Sequence, residues 1–443
     1  MSQHKKFAII IILVTNAIMI SFLESFIPIP VPIPGVKLGL GNIITMIGIA
    51  FLGLNDVLFV VLVRCLVVAV LTRGIMMLAF SLSGGILSAL TMWLLYKKLS
   101  GFFSIKGISI VGAIVHNAVQ LAVATLILGE SVMMYYLPVL LVSAVVTGLI
   151  TGSIGEITIN EIRKGVLSLN ENEPGIAAAK AEAFSNAPLK TPIETEPGNI
   201  DGLIKLIMAI GLTVIPFLCE TPLSFLLIFF YLAMATLISK IKPRTLLISA
   251  ASYGIVVLIP YSFGLLMNVL LHQLFPNAIL AYQQGLYESF LRLLRFFLLW
   301  YISILYFQTT PVKTVVGILE KIMRPLQAMG VPVKDYLKIV MLAVAELTEM
   351  GTEMKASLAR HMRSVQRETG RFSINIKGIA QMIIALISSS FGRLDKIEND
   401  IEQVNPEELY HYHFSLSLQD AGAGLSFILL LAVLSIIERG VWF

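Results

Sequence analysis

Apolar residues form long runs along this chain, and short polar segments separate the runs. Several runs are close to the roughly 20 residues that an α-helix needs to cross a bilayer, although the second is shorter. In the first 155 residues the pattern predicts six spans, at about 7–27, 39–54, 56–72, 75–96, 107–128 and 134–155. After residue 201 it predicts roughly five more, at about 203–219, 222–239, 245–266, 286–307 and 416–437. The expected fold is therefore an all-α integral membrane protein.

One polar stretch divides the chain in two. From Glu156 to Asp201 there are Pro and Gly turn signals and no strong apolar period, which predicts a cytoplasmic linker. A short helix is expected within it, around Ala177–Phe184. The predicted domains are residues 1–160, a linker at 161–200, and residues 201–443.

A second stretch, from Thr310 to Pro406, contains no clear span. Basic and apolar residues alternate there in an amphipathic pattern. A basic amphipathic block of this length is typical of the cytoplasmic face, against lipid headgroups or a soluble partner. We therefore expect long cytoplasmic helices at about 310–405.

Composition agrees with a membrane protein. Hydrophobic residues make up 57% of the 443 residues and charged residues only 13%, whereas soluble domains carry about 25% charged residues. No basic patch stands apart from the spans, so nucleic acid is not expected as a partner. The two cysteines, Cys65 and Cys219, lie inside apolar runs and are predicted to be small buried hydrophobes.

The cations predict the orientation of the first half. If its six spans alternate, most of its lysines and arginines fall on one side: Lys5, Lys6, Lys97, Lys98, Lys106, Arg163 and Lys164. Lys37 and Arg73 fall on the other side. The positive-inside rule then places the N-terminus in the cytoplasm and Lys37 outside. An odd total number of spans would place the C-terminus outside, unless one span near 262–285 is misjudged.

The stretch Pro28–Asn42, between the first two spans, cannot be helical throughout. Its four prolines at alternate positions lack amide donors and hold each preceding residue in extended geometry. Three glycines and Lys37 follow. Irregular backbone beside hydrocarbon is tolerated only where protein buries it or where it lines a wet cavity. This stretch, hereafter the proline-rich loop, is therefore the first candidate for a ligand site.

Polar residues inside spans are further candidates, because they are costly in lipid and usually face an interior or a cavity. His116 and Gln120 lie four residues apart and share a helix face. For His116 and Asn117, a helix–helix hydrogen bond and a ligand contact both remain open. For Lys37 and Arg73, contact with an anionic substrate and interfacial snorkelling remain open. The candidate substrate-binding residues are Lys37, Gly39, Asn42, Arg64, Arg73, His116, Asn117 and Gln120.

Sequence motifs for enzymatic chemistry are absent. The chain has no GxxxxGK[ST] phosphate loop, no HExxH or GxSxG motif, and no paired aspartates to hold magnesium on a diphosphate. His411 and His413 have no third ligand nearby. We therefore expect no catalytic residue, no metal site and no cofactor in this chain.

Three motifs in the first half resemble a known family. They are Pro34-Gly35-Val36-Lys37-Leu38-Gly39-Leu40-Gly41-Asn42-Ile43-Ile44-Thr45, Leu82-Ser83-Gly84-Gly85-Ile86-Leu87-Ser88 and Gly112-Ala113-Ile114-Val115-His116-Asn117-Ala118-Val119-Gln120. In this order they resemble the Gx transporter family, also labelled heptaprenyl diphosphate synthase component I. That family looks like the substrate-binding (S) components of energy-coupling factor transporters. The resemblance covers roughly residues 5–160 and implies a six-helix bundle that binds a small molecule.

The second half, at about 200–440, resembles the T component, the transmembrane coupling protein (EcfT or CbiQ) of the same transporters. The motifs are Gln308-Thr309-Thr310-Pro311, Met323-Arg324-Pro325-Leu326, Met329-Gly330-Val331-Pro332 and Ala359-Arg360-His361-Met362-Arg363-Ser364. In that family two cytoplasmic coupling helices end in Ala-Arg-Gly-like motifs that insert into two ABC-type ATPases. The implied coupling residues are Ala359, Arg360, His361, Arg363 and Arg393. Here the first motif lacks its glycine, and the acidic segment 397–403 stands where the second is expected.

The resemblance implies a fused S and T pair in the cell membrane. It would move a vitamin- or cofactor-like molecule, with ATP bound by separate ATPase subunits. The alternative is a membrane scaffold that works without ATPases in flavin- or quinone-linked electron transfer or in polyprenyl metabolism, which the acidic second motif favours. Polyprenyl diphosphate synthesis itself is disfavoured, because the first half lacks the carboxylates for diphosphate and magnesium. The substrate and the direction of transport stay open.

Overall fold

The computed structural model describes residues 3–24, 39–72, 75–99, 101–128, 134, 137–168, 200–254, 273, 286–328, 333–344, 346–347, 376–403, 414 and 416–439. Every regular element among these residues is a helix. Six helices there are long and apolar enough to cross a membrane: Gln3–Ser21, Leu78–Lys98, Ile105–Leu126, Leu137–Arg163, Phe290–Thr309 and Leu418–Glu438. The prediction of an all-α membrane protein is confirmed.

Six helices form the first half. They are α1 (Gln3–Glu24), α2 (Gly41–Phe51), α3 (Leu54–Thr72), α4 (Ile75–Lys98), α5 (Ile105–Leu128) and α6 (Leu137–Ser168). Their bounds follow the predicted spans closely except at the end of the bundle. There α6 continues to Ser168, so the polar composition that begins at Glu156 lies partly on a helix. The helix expected around Ala177–Phe184 lies outside the described residues.

Small residues bring the helices of this bundle close together. Ser88 of α4 donates its hydroxyl hydrogen to Gly112 O of α5 at 2.8 Å. A Cβ atom on Gly148 of α6 would lie 2.6 Å from the Cα atom of Ile110 on α5. Glycine at such a position lets two helix backbones approach in lipid. These small residues therefore pack inside the bundle.

The second half begins with α7 (Gly202–Leu218), α8 (Pro222–Ile238), α9 (Pro243–Tyr253) and α10 (Leu286–Thr309). The amphipathic block contains α11 (Val312–Ala328), α12 (residues 333–344), α13 (Ile376–Phe391) and α14 (Leu394–Gln403). The last helix is α15 (Leu418–Arg439). Four of the five predicted spans of this half coincide with a helix. The fifth, at 245–266, begins with α9, and its residues after 254 lie outside the described residues.

Two carboxylates fix how α15 lies against α7 and α8. At its start, Asp420 Oδ1 accepts the N–H of Asp201, just before α7, at 2.6 Å. At its end, Glu438 Oε1 accepts the hydroxyls of Thr221 (2.8 Å) and Ser224 (2.6 Å) in the turn between α7 and α8. The helix α15 thus runs parallel to α7, and its C-terminal end lies at the opposite end of the helices from Asp201.

Both halves share one hydrophobic core around α1. Ile10, Leu13 and Ile18 of α1 are fully buried. They cluster with residues of the bundle and with Ile339 of α12 and Ile387 of α13. The two cysteines are also buried, as predicted.

The amphipathic block is therefore not confined to a surface at the end of α1. It packs along α1 as far as the middle of that helix. Thr15, midway along α1, donates to Ala343 O of α12 at 3.3 Å, and Ser390 of α13 donates to Asn16 Oδ1 at 3.4 Å. The physical reason is the apolar face of α12 and α13. It finds a partner in α1, which is apolar over most of its length.

Candidate functional site

The two ends of the proline-rich loop are tied together at the end of α1. The N–H of Gly39 donates to Glu24 Oε1 at 2.6 Å, and the Glu24 side chain is buried. Gly39 has a φ of +68°, in the left-handed region that glycine adopts without steric cost. The helix α2 begins two residues later. Lys37 and the prolines lie outside the described residues.

A buried arginine lies at the N-terminal end of α2. Arg64 of α3 is 7% exposed. A Cβ atom on Gly41, the first residue of α2, would overlap Arg64 Nη1, and a Cβ atom on Gly85 of α4 would lie 3.3 Å from Arg64 Nη2. The guanidinium therefore fills the space that these two glycines leave open. Among the residues that the structure describes, Arg64 has no hydrogen-bond or ion-pair partner.

Two adjacent glycines on α4 separate Arg64 from a second polar group. A Cβ atom on Gly84 would lie 2.8 Å from Gln120 Cγ and 3.1 Å from His116 Nδ1, both on α5. Gly84 thus faces α5 while Gly85 faces α3. Arg64, His116 and Gln120 consequently lie at the same level of α4, on its two sides.

The other candidate residues of the first half do not all lie at one site. Asn42 is buried beside Gly39 at the start of α2. Asn117 Nδ2 donates to Leu140 O of α6 at 3.4 Å, so this side chain joins two helices. Arg73, like Lys37, lies outside the described residues. The structure therefore brings Gly39, Asn42 and Arg64 together at one helix end, and His116 and Gln120 together across α4.

Sequence reasoning did not select Glu24, Gly41, Gly84 or Gly85 as site residues. The glycine pair was visible within the quoted motif around Ser83, and Glu24 was visible at the end of the first span. What the sequence alone does not provide is their partners. Those depend on which faces of α2, α3 and α4 meet.

Most of the predicted coupling residues lie outside the described residues. Ala359, Arg360, His361 and Arg363 are outside the described residues. Arg393 Nη1 lies 2.6 Å from Glu346 Oε1, with side chains 14% and 15% exposed. This arginine is held in an ion pair within the amphipathic block.

The acidic segment after Arg393 also has a structural explanation. It forms α14, and its apolar residues Leu394, Ile397 and Ile401 are buried in the core around α1. Their spacing of three and four residues places them on one helix face. The charged residues of this segment occupy the remaining positions. No group of three or more His, Cys, Asp or Glu side chains suited to a metal ion occurs within the described part of the chain.

Two family models match separate parts of the chain. Residues 13–158 match the family model described as heptaprenyl diphosphate synthase component I. Residues 197–402 match the family model described as cobalt transport protein. These matches fit the fusion of an S-like first part and a T-like second part that the motifs predicted.

Two curated relatives match about 45% of the chain. The energy-coupling factor transporter transmembrane protein EcfT of Lactococcus lactis subsp. cremoris is 27% identical over 209 residues, which is 76% of its length. The protein of the same name from Acidaminococcus fermentans is 25% identical over 214 residues, 77% of its length. No solved structure matches the chain.

Proposed function

We propose that this chain is the fused membrane component of an energy-coupling factor-type transporter. In this proposal residues 1–160 bind a small vitamin- or cofactor-like molecule, and residues 201–443 couple that half to two ABC-type ATPases on separate subunits. The family matches of the two halves and the names of the two relatives support it.

The single observation that carries the proposal is the core shared around α1. A coupling unit must hold the binding unit so that movement of one moves the other. Here α12, α13 and α14 of the second half pack directly on α1 of the first, through Ile339, Ile387 and Ile401. Interiors packed in this way transmit displacement, because they are dense and compress little.

The binding role of the first half has its own support. The proline-rich loop ends at a buried polar site that contains Arg64 and the start of α2. Polar groups at membrane depth are expensive and usually mark a ligand or ion site. The substrate would enter from the loop side, which the distribution of cations assigns to the outside. The N-terminus is then cytoplasmic.

Co-purification from native membranes tests the coupling role. Recovery of two ATPases with the wild-type chain, and their loss with Arg360→Glu, is the expected result. The matched control is Lys242→Glu, which reverses an exposed charge in the α8–α9 connection. It should retain the ATPases. Consistent absence of ATPases from the wild-type preparation would contradict the proposal.

One observation favours the second candidate, a membrane scaffold that works without ATPases. Arg393, expected near the second coupling motif, forms an ion pair with Glu346. The segment after it packs against α1. In that case redox proteins or enzymes of polyprenyl metabolism should co-purify in place of ATPases. The same experiment therefore separates the two candidates.

A further inference from the structure

We propose that Arg64 and the N-terminal end of α2 form a binding site for an oxyanion, so that the molecule bound by the first half carries a carboxylate or phosphate group. This inference deepens the proposed function, because it names the chemical class of the substrate. The sequence had pointed instead to Lys37 and Arg73 as the cations that would meet an anionic substrate.

The charge of Arg64 is the first step in the argument. A guanidinium stays protonated in proteins. Arg64 is 7% exposed, on a helix in the core of the bundle, and no described residue accepts a hydrogen bond from it or pairs with it. An isolated buried charge is strongly unfavourable. A site of this kind is unfavourable when empty and becomes favourable when an anion enters.

The position of the charge is the second step. Arg64 Nη1 lies against Gly41, the first residue of α2, and this helix has no side-chain cap at its N-terminal residue Leu40. The N-terminal end of a helix carries partial positive charge, which favours anions. In α2 the N–H groups of Asn42 and Ile43 are bonded to Gly39 O and Leu40 O, so the helix end contributes its partial charge and not these donors. Both positive features converge at one place.

The glycines are the third step. Gly41 and Gly85 leave the room that the guanidinium itself occupies, since a side chain at either position would collide with or crowd Arg64. The glycines thus bring the planar guanidinium to the start of α2, and such a group can bind a carboxylate or phosphate through two parallel hydrogen bonds. The Glu24 carboxylate accepts the N–H of Gly39, two residues before α2 begins.

Thermal unfolding of the purified full-length chain tests this inference without any ATPase. The protein is prepared in non-ionic detergent, in chloride buffer free of phosphate and carboxylates. Sodium phosphate and sodium succinate are then added at matched ionic strength. We expect either probe to raise Tm by roughly 2–5 °C when it saturates the site. In a separate arm, phosphatidylglycerol is compared with phosphatidylcholine, so that a lipid headgroup can be distinguished from a free anion.

The decisive variant is Arg64→Met, which removes the charge and keeps an apolar side chain of similar length. It should abolish the anion-dependent shift and raise Tm in the anion-free buffer, because an unpaired buried charge has gone. Arg295→Met is the matched control. Arg295 donates to Pro216 O and Cys219 O at 3.0 Å each, so this variant should lower Tm and keep the anion-dependent shift.

The results separate cleanly. A shift with phosphate or succinate that Arg64→Met abolishes supports a free oxyanion, and a shift with phosphatidylglycerol alone assigns the site to a lipid headgroup. No shift in the wild type with any probe, a shift that survives Arg64→Met, or a lower Tm of Arg64→Met in anion-free buffer would overturn the inference. Failure here leaves ATPase co-purification unaffected, and loss of ATPase co-purification leaves this result unaffected.

Discussion

The hydroxyl of Thr15 donates a hydrogen bond to the backbone carbonyl of Ala343 at 3.3 Å, across 328 positions of the sequence. Both residues are fully buried. The contact joins the middle of the first helix to the amphipathic block of the second half. The halves are therefore joined by direct contacts as well as by the linker.

Cleavage of the linker should therefore leave the two halves associated. A protease site inserted near residue 185 would be cut after purification of the full chain. The halves should then elute as one species on size-exclusion chromatography, because α1 remains covered by residues of α12–α14.

The substitution Ala343→Arg should release the halves after cleavage, since a charged side chain replaces a fully buried methyl group against α1. Ala343→Ser is the control, because it adds one small polar group that can bond within its own helix. Separation of the wild-type halves after cleavage would show that the shared core is too weak to join them.

Gly41→Ala should weaken anion binding without removing any side chain from the core. The added methyl group would overlap Arg64 Nη1 and displace the guanidinium from the start of α2. We expect affinity for the bound anion to fall about tenfold, which corresponds to roughly 1.4 kcal/mol. Titration of the Tm shift with succinate measures this change.

Gly155→Ala serves as its comparison. There an added Cβ atom would meet only Met46, at 3.9 Å, an ordinary van der Waals contact. Affinity should stay at the wild-type value. Equal effects of Gly41→Ala and Gly155→Ala would mean that the position of Arg64 does not govern binding.

The ion pair between Arg393 and Glu346 should be structural. Removing one partner of a largely buried pair leaves an uncompensated charge, so Arg393→Ala should lower the free energy of unfolding by about 3 kcal/mol. Combining Arg393→Glu with Glu346→Arg should recover most of the loss. Denaturation of the purified chain provides the measurement.

The pair formed by Lys106 and Glu156 is the matched control, with side chains 45% and 36% exposed. Because exposed pairs contribute little, Lys106→Ala should cost under about 1 kcal/mol. If the charge-reversed double variant at 393 and 346 stayed as unstable as Arg393→Ala, the pair would not be the cause.

The two ends of α15 should lie on opposite faces of the membrane. Lys242 follows the C-terminal end of α8, so it lies on the same face of the membrane as Asp201. Arg439 follows Glu438, which contacts the turn between α7 and α8 at the opposite end of these helices. A membrane-impermeant thiol reagent should label Lys242→Cys and Arg439→Cys from opposite sides. The wild-type cysteines are both buried and provide the unlabelled background. Labelling of both variants from one side would contradict this topology.

Much of the architecture could be predicted from apolar patterning. Helix length and hydropathy located the spans, because crossing a bilayer imposes the same requirement on every helix. The odd span count, which suggested that one span was misjudged, is instead supported by the contacts of Asp420 and Glu438 at opposite ends of α15. Amphipathicity located the block after residue 310. It did not identify what covers the apolar face, because lipid, a partner and α1 all satisfy the same pattern.

The candidate site was predictable only in part. Arg64 and His116 stand out as ionisable residues within apolar runs, and both lie beside the Gly84-Gly85 pair. The contact between Glu24 and Gly39 depends on the path of an irregular loop, and no periodicity encodes such a path. The separation of Asn117 from His116 follows from helix rotation, since neighbouring residues on a helix point about 100° apart.

The burial of α1 has a consequence for how the protein is made. Residue 15 leaves the ribosome hundreds of residues before Ala343 and Ser390 exist, so its hydroxyl and the neighbouring Asn16 amide must first be accommodated without their final neighbours. Synthesis proceeds at about 5–20 residues per second, which makes the interval roughly 15–65 seconds. During that time the insertion machinery, lipid or the emerging helices α2 and α3 must shield the first helix. Maturation of the complete fold is therefore a late event that waits for the last quarter of the chain.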